Sequence, residues 1–197
     1  MSESPPDTRD RILQAAEEVL RRFGPAKTTV VDVARHLGMS HGNVYRHFPS
    51  KAALREAVAE RWLATVSRPL ARIAASGEPA ERRLETWLLA LAEAKRRKVH
   101  DDPELFATYH VLAADAATAI STHVDELRGQ VARIVADGIA DGSFNVADPA
   151  AAAVAVLTAT LDFHHPVHVR AAGGRNREAE ARPVIRLVVA GLKAGVI

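Results

Sequence analysis

Between Gly24 and Ser50 the chain carries three helix-stopping signals, Gly24-Pro25, Gly38 and Pro49-Ser50, within a stretch whose apolar residues otherwise keep helical spacing. Helices cut this short are marginal alone, and they bury their apolar residues by crossing one another around a tight turn. Before the first break, Ile12, Leu13, Ala16, Val19, Leu20 and Phe23 form one face of a helix of about four turns that begins at Thr8 and ends at Gly24-Pro25. Thr28 and Thr29 precede a short second helix in which Val30, Val33, Ala34 and Leu37 share a face before Gly38 stops it. Ser40 is placed to cap a third helix, from His41 to Phe48, and Ser50 to cap a fourth beginning at Lys51.

Beyond that point every segment is long. The fourth carries Leu54, Val58, Trp62 and Val66, and Pro69 is expected to kink or end it before Gly77-Glu78-Pro79. Leu84, Trp87, Leu88 and Leu91 mark a fifth, which runs into the basic cluster Lys95, Arg96, Arg97 and Lys98, a composition that suits a helix C-terminus. A sixth carries Leu105, Phe106, Tyr109 and Leu112, and a seventh carries Ile120, Val124, Leu127, Val131, Ile134 and Ile139 before Gly142-Ser143. An alanine- and valine-rich eighth lies between Pro149 and Ala172, disturbed at Pro166, and a ninth runs from about Arg177 to Ala194. Strands, repeats and low-complexity tracts leave no signature. The expected fold class is therefore all-α, of about nine helices: an N-terminal three-helix helix-turn-helix domain over residues 1–52 and a C-terminal helical domain over residues 53–197.

Composition narrows the function classes. An apolar share of 48% is that of a globular chain, and the absence of cysteine excludes disulfides and thiolate zinc sites. Met1 to Asp10 is polar with two prolines, unlike a secretory signal, so a cytoplasmic protein is expected. The longest apolar stretch, Ala150 to Leu161, falls short of the roughly 20 residues that cross a bilayer, so no membrane partner is expected. The formal charge of +2 averages 26 basic against 24 acidic residues and says nothing of where they lie.

The stretch from Val30 to Phe48 has the internal logic of a helix-turn-helix. Ala34 is small where two helices cross, Gly38 suits a left-handed turn, and Val33, Leu37, Met39 and Val44 supply the contacts that set the interhelical angle. The last of these helices then offers His41, Asn43, Tyr45, Arg46 and His47, all able to hydrogen-bond base edges or phosphates, with Gly42 removing bulk near its start. Thr28, Thr29 and Lys51 flank it at helix starts, where hydroxyls, N–H groups and an ammonium hold phosphates. A helical hairpin with a glycine turn also occurs in plain bundles, where Tyr45 would be ordinary core.

The wider string decides between them. Thr28-Thr29, Val33-Ala34, Leu37-Gly38, Ser40, Val44-Tyr45, His47-Phe48 and Ser50-Lys51-Ala53-Leu54 together resemble the signature of the tetracycline-repressor (TetR) family of transcriptional regulators, over the first quarter of the chain. The resemblance implies a ligand-responsive repressor of double-stranded operator DNA. It implies that Tyr45, His47, Lys51, Thr28 and Thr29 meet the DNA backbone, and that His41, Gly42, Asn43 and Arg46 lie nearest the bases, with Ser40 at the head of that helix. An arginine at position 46 can pair with guanine where it reaches the groove. The segment lacks a dense lysine and arginine patch, so modest nonspecific binding and reliance on a dimer are expected.

The resemblance further implies a homodimer joined through the last two helices and a small-molecule effector held among the fourth to eighth. Val156, Leu157, Thr160 and Leu161 with Ala153 form a small-residue face, and Val184, Leu187, Val188 and Leu192 a complementary apolar one; either a twofold dimer or an intrachain core would use them. The walls of the ligand pocket are expected among Trp62, Val66, Trp87, Leu91, Phe106, Tyr109, His110, Leu127 and Phe163, since both tryptophans fall on these helices. No cofactor is expected. His164 and His168, four apart, offer one metal alternative, with His165 beside them and His100, His110 or His123 as a third ligand, but Pro166 disturbs their spacing. An enzyme would have to use these histidines with Asp115, Asp125 or Asp162, and no nucleophile motif, phosphate loop or complete metal signature accompanies them.

Overall fold

The computed structural model describes residues 7–27, 29–101, 103, 106 and 116–196. These form nine α-helices and one 3-10 turn, with no strand among the described residues: α1 Thr8–Lys27, α2 Val30–His36, α3 His41–His47, α4 Lys51–Ala74, α5 Ala80–Asp101, α6 Ala117–Ala140, α7 Pro149–Ala159, the 3-10 turn Leu161–Phe163, α8 Pro166–Ala171 and α9 Glu178–Ala194. The all-α expectation holds. Of the expected sixth helix, Phe106 is helical and buried, whereas Leu105, Tyr109 and Leu112 lie outside the described residues. No helix among the described residues is long and apolar enough to cross a membrane.

Two expected boundaries differ. Pro69 lies inside α4, which continues to Ala74. Proline costs a helix interior about 3 kcal/mol, and burial of Val66, Leu70 and Ala74 on either side of it offsets that loss. The expected eighth helix is divided into α7, the 3-10 turn and α8. Thr160 turns its hydroxyl back to donate to the Val156 carbonyl at 2.9 Å, and the chain restarts at Pro166, whose missing N–H costs nothing at a first helical position.

The chain divides into two compact units, one of Met1–Leu63 with Asp102–Ser121, the other of Ala64–Asp101 with Thr122–Ile197. In the first, α1 packs on α2 and α2 on α3, burying Ile12, Ala16, Leu20, Val33, Val44 and Phe48. In the second, α9 packs on α5 and α7, and α5 on α8, around a core that includes Leu70, Leu84, Trp87, Leu91, Val131, Ile134, Val156, Ile185 and Leu192. Several polar groups in that core are tied off. The Trp87 Nε1–H donates to Gln130 Oε1 at 2.9 Å, and Gln130 Nε2 donates to the Ser67 carbonyl at 3.1 Å. Arg83, buried, donates to the Ala74 carbonyl and to Asp137, each at 2.8 Å, fastening the ends of α4 and α5 to α6. Gly138 is required by contact: a Cβ there would fall within the ring of Phe144.

Candidate nucleic-acid interface

The local sequence builds α2 and α3 from their ends. Thr29 caps α2: its Oγ1 accepts from the Asp32 N–H at 3.2 Å, and the Asp32 carboxylate accepts from the Thr29 N–H at 3.0 Å and from its hydroxyl at 2.6 Å. Those bonds from Thr29, side chain first and then backbone, hold the Asp32 carboxyl below the usual carboxylate range. At the other end Leu37 closes α2 with its N–H to the Val33 carbonyl, and Gly38, at φ 65°, turns the chain so that the Met39 N–H reaches the Ala34 carbonyl at 3.0 Å. That left-handed position is one that a side chain would strain. Ser40 then caps α3, its Oγ accepting from the Asn43 N–H at 3.3 Å, and Ser50 caps α4 through the Ala53 N–H at 3.0 Å.

This frame orients α3. Val44 is completely buried against a core that includes Val30, Val33 and Ala34, and Phe48 closes the helix under the guanidinium of Arg9, 5.1 Å from the ring centroid. Leu37 and Met39 are half-buried rather than sealed in. With Val44 inward, His41, Gly42, Tyr45 and Arg46 face out, and Asn43 and His47 are half-exposed. Tyr45 leaves 46% of its surface open, so it is not ordinary core. Gly42 has only Ser40 Oγ near a would-be Cβ, at 4.0 Å, so packing within the chain does not demand a glycine there. Thr29 and Lys51 come together along one small crevice with Leu20, Leu54 and Val58. Thr28 lies outside the described residues. The structure thus gathers an exposed tyrosine, an arginine and two imidazoles on one short helix whose opposite side is pinned.

The comparisons with known proteins agree with this geometry. The model of bacterial regulatory proteins of the tetR family matches residues 12–58, and that of the tetracyclin repressor-like C-terminal domain matches residues 80–185, more than half of the chain. The chain belongs to the TetR family. An HTH-type transcriptional regulator of Mycobacterium tuberculosis is 37% identical over 101 residues, covering 51% of this chain and 48% of the relative. The HTH-type transcriptional repressor KstR2 of Mycolicibacterium smegmatis is 30% identical over 155 residues, covering 71% of this chain and 69% of the repressor. The chain thus spans about half the length of the first of these relatives. The fold is also that of the transcriptional regulator FadR from Bacillus subtilis, solved with stearoyl-CoA, at 16% identity and a TM-score of 0.66 over 92% of this chain and 98% of that one.

The TetR-family chain places its other candidate residues less simply. Trp62 and Phe106 meet edge to face in the first unit, ring centroids 6.1 Å apart. Val66, Trp87, Leu91 and Leu127 belong to the core of the second, and Tyr109 and His110 lie outside the described residues. A cavity of about 250 Å³ opens beside α5, the 3-10 turn and the segment after α8; among the described residues Phe163 is the one expected wall that lines it, with Glu93, Arg96, Asp162 and Arg177. Its arginines are already paired, Arg96 with Glu93 and Arg177 with Asp162 and Glu180. Hydrogen bonds from Arg96 hold the Glu93 carboxyl down at about 2, against the effect of its partial burial.

The residues of the expected dimer faces are divided between interior and surface. Val156, Thr160, Val188 and Leu192 are buried in the chain's own interior, where α9 packs on both α7 and α5. Leu161 and Leu187 point outward, Leu187 with 73% of its surface exposed, while Leu157 and Val184 lie at the margin. His164 and His168 do not share a face either. His164 turns inward, its Nε2 3.2 Å from the Leu157 carbonyl, and burial pushes its pKa down to about 4. His168 lies 3.4 Å from Asp162, and no group of three metal-ligating side chains converges among the described residues. Asp125 is paired with Arg128, and Asp115 lies outside the described residues.

Sequence reasoning missed one polar cluster in the second unit. Lys95 belongs to the basic run that ends α5, yet it is buried, with Nζ 3.0 Å from Nε2 of His123 on α6. The signal was its spacing: Lys95 falls four residues after Leu91, and His123 four before Leu127, on the apolar stripes of their helices.

Proposed function

We propose that this protein is a sequence-specific DNA-binding transcriptional regulator of the cytoplasm, a repressor that works as a homodimer and leaves its operator when a small-molecule effector binds. The observation that carries the reading is α3: Val44 is fully buried while Tyr45 and Arg46 beside it stand open to solvent, on a helix capped by Ser40 and set by the Gly38 turn. In this reading residues 1–52 form the DNA-binding domain and residues 53–197 the sensing and dimerising one. Tyr45, His47, Lys51, Thr28 and Thr29 hold phosphates, while His41, Gly42, Asn43 and Arg46 approach the bases. Leu161 and Leu187, with Leu157 and Val184 at their margin, supply an apolar surface for a second copy. The repressor KstR2 and the stearoyl-CoA complex of FadR support a ligand-responsive repressor, and effector release requires that the ligand bind one state better than the other.

A gel-shift titration with the DNA upstream of the protein's own gene tests this. The folded protein shifts that DNA at low salt, and Tyr45→Ala and Lys51→Ala each weaken binding about tenfold on operator and unrelated DNA alike, as phosphate contacts do. A folded protein that shifts no DNA at low salt sinks the reading.

A further inference from the structure

Two basic side chains enter the interior of the second unit with no acid among the described residues to meet them. Lys95 is 8% exposed and His123 5%, and they are bonded to each other at 3.0 Å. Among the described residues no carboxylate pairs with Lys95, and the other ring nitrogen of His123, Nδ1, is buried without a hydrogen-bond partner. Arg83, on the same helix, shows what a structural cation looks like in this interior: it is held by the carboxylate of Asp137 and a carbonyl. Burial first, and then the nearby charge of Lys98, lower the Lys95 pKa to about 8; burial first, and then Lys95, lower that of His123 to about 3.

At neutral pH the arrangement is therefore an ammonium donating to Nε2 of a neutral imidazole. That bond places the ring proton on Nδ1, a donor with no acceptor among the described residues. His164, a second imidazole turned into the unit's interior, faces the Leu157 carbonyl and the Thr160 hydroxyl and supplies no negative charge. A cation taken out of water without a counter-ion is a standing cost, which a bound anion would remove. The flanking residues one turn away on each helix, Leu91 and Leu127, are apolar and belong to the core.

We propose that Lys95 and His123 form a recognition site for an organic carboxylate: the carboxylate accepts from Lys95 Nζ, the Nδ1–H of His123 takes a second acceptor of the ligand, and the apolar body enters by displacing the packing at Leu91 and Leu127, which are sealed in the core of this structure. The proposal rests on the repressor reading only in treating this ligand as the effector; the site itself stands or falls by binding to the free protein.

The test uses the whole chain without DNA and three compounds of one length, octanoate, 1-octanol and octylamine, followed by tryptophan fluorescence and thermal shift. Octanoate binds at least tenfold more tightly than the other two. Lys95→Met loses that preference, with a melting temperature equal to or above that of the parent, because an unpaired buried charge has been replaced by an apolar chain of similar length. Lys95→Arg, which keeps the charge, keeps the preference and serves as the check should the methionine variant fail to fold. Equal affinity for octanoate and octanol, no octanoate binding at millimolar concentration, or a folded Lys95→Met with its preference intact overturns the site. Octanoate that binds but leaves the DNA shift unchanged upholds the site and counts against its role in release. A protein that binds octanoate but no DNA overturns the repressor reading alone.

Discussion

The helix-turn-helix and the helical bundle solve the same problem of holding helices in opposite ways. In the first unit, α2 and α3 have seven residues each, too few to stand alone, and they are held by end groups: the Thr29–Asp32 box, the Ser40 cap and the Gly38 turn. In the second, helices such as α5, with 22 residues, are held by side chains on their inner faces, among them a fully buried Trp87. The difference teaches where each unit can keep its chemistry. A capped short helix leaves most of its polar side chains facing out, as on α3. The bundle uses its outward polar side chains in ion pairs such as Arg182 with Glu85 and Glu178, and two of its polar groups, Lys95 and His123, lie inside.

This contrast can be broken by substitution, beginning where the bundle is most committed. Trp87→Ala removes the largest fully buried side chain and should cost about 3 to 5 kcal/mol in urea unfolding followed by circular dichroism. A loss near that of a surface change would mean the bundle does not depend on its core. Acid comes next. His123 and His164 are held neutral at about 3 and about 4, below the ordinary 6.5, so the folded chain binds fewer protons than the unfolded one in that window. Their contribution is complete above about pH 6.5 and is lost as pH falls toward the folded values, with His123 alone amounting to roughly 3 kcal/mol by pH 4. Denaturant midpoints read by Trp87 fluorescence in a Trp62→Phe background should fall accordingly; a midpoint constant from pH 7 to pH 4 would contradict buried neutral imidazoles. The smallest effect belongs to the caps. Thr29→Ala should cost about 1 kcal/mol and Thr29→Ser much less, because the serine hydroxyl still reaches the Asp32 N–H.

Much of the first unit was legible because its determinants are local. Gly24 breaks α1 with φ 70°, Ser40 and Ser50 cap the helices that follow them, and alternate use of Val44 and Tyr45 follows from helical periodicity. The bundle was legible only as helices. Periodicity put Val156, Val188 and Leu192 on apolar faces, but a face turned to the chain's own core and one turned to a second copy obey the same 3.6-residue rule. Pro69 reads as a helix stop by its missing N–H, and only the buried neighbours Val66 and Leu70 explain why α4 continues.

By itself, then, the sequence determined an all-helical chain, the turn and caps that present α3, and the family to which that pattern belongs. These depend on residues within four positions of one another, where backbone geometry and hydrogen-bond reach settle the outcome. Tertiary structure alone decided that Lys95 leaves the basic run to meet His123, that Phe163 and not Trp87 edges the cavity, and which leucines of α7 to α9 remain outside. Each is a matter of which apolar stripe found which partner across the bundle, and burial of that kind is shared between helices far apart in the chain.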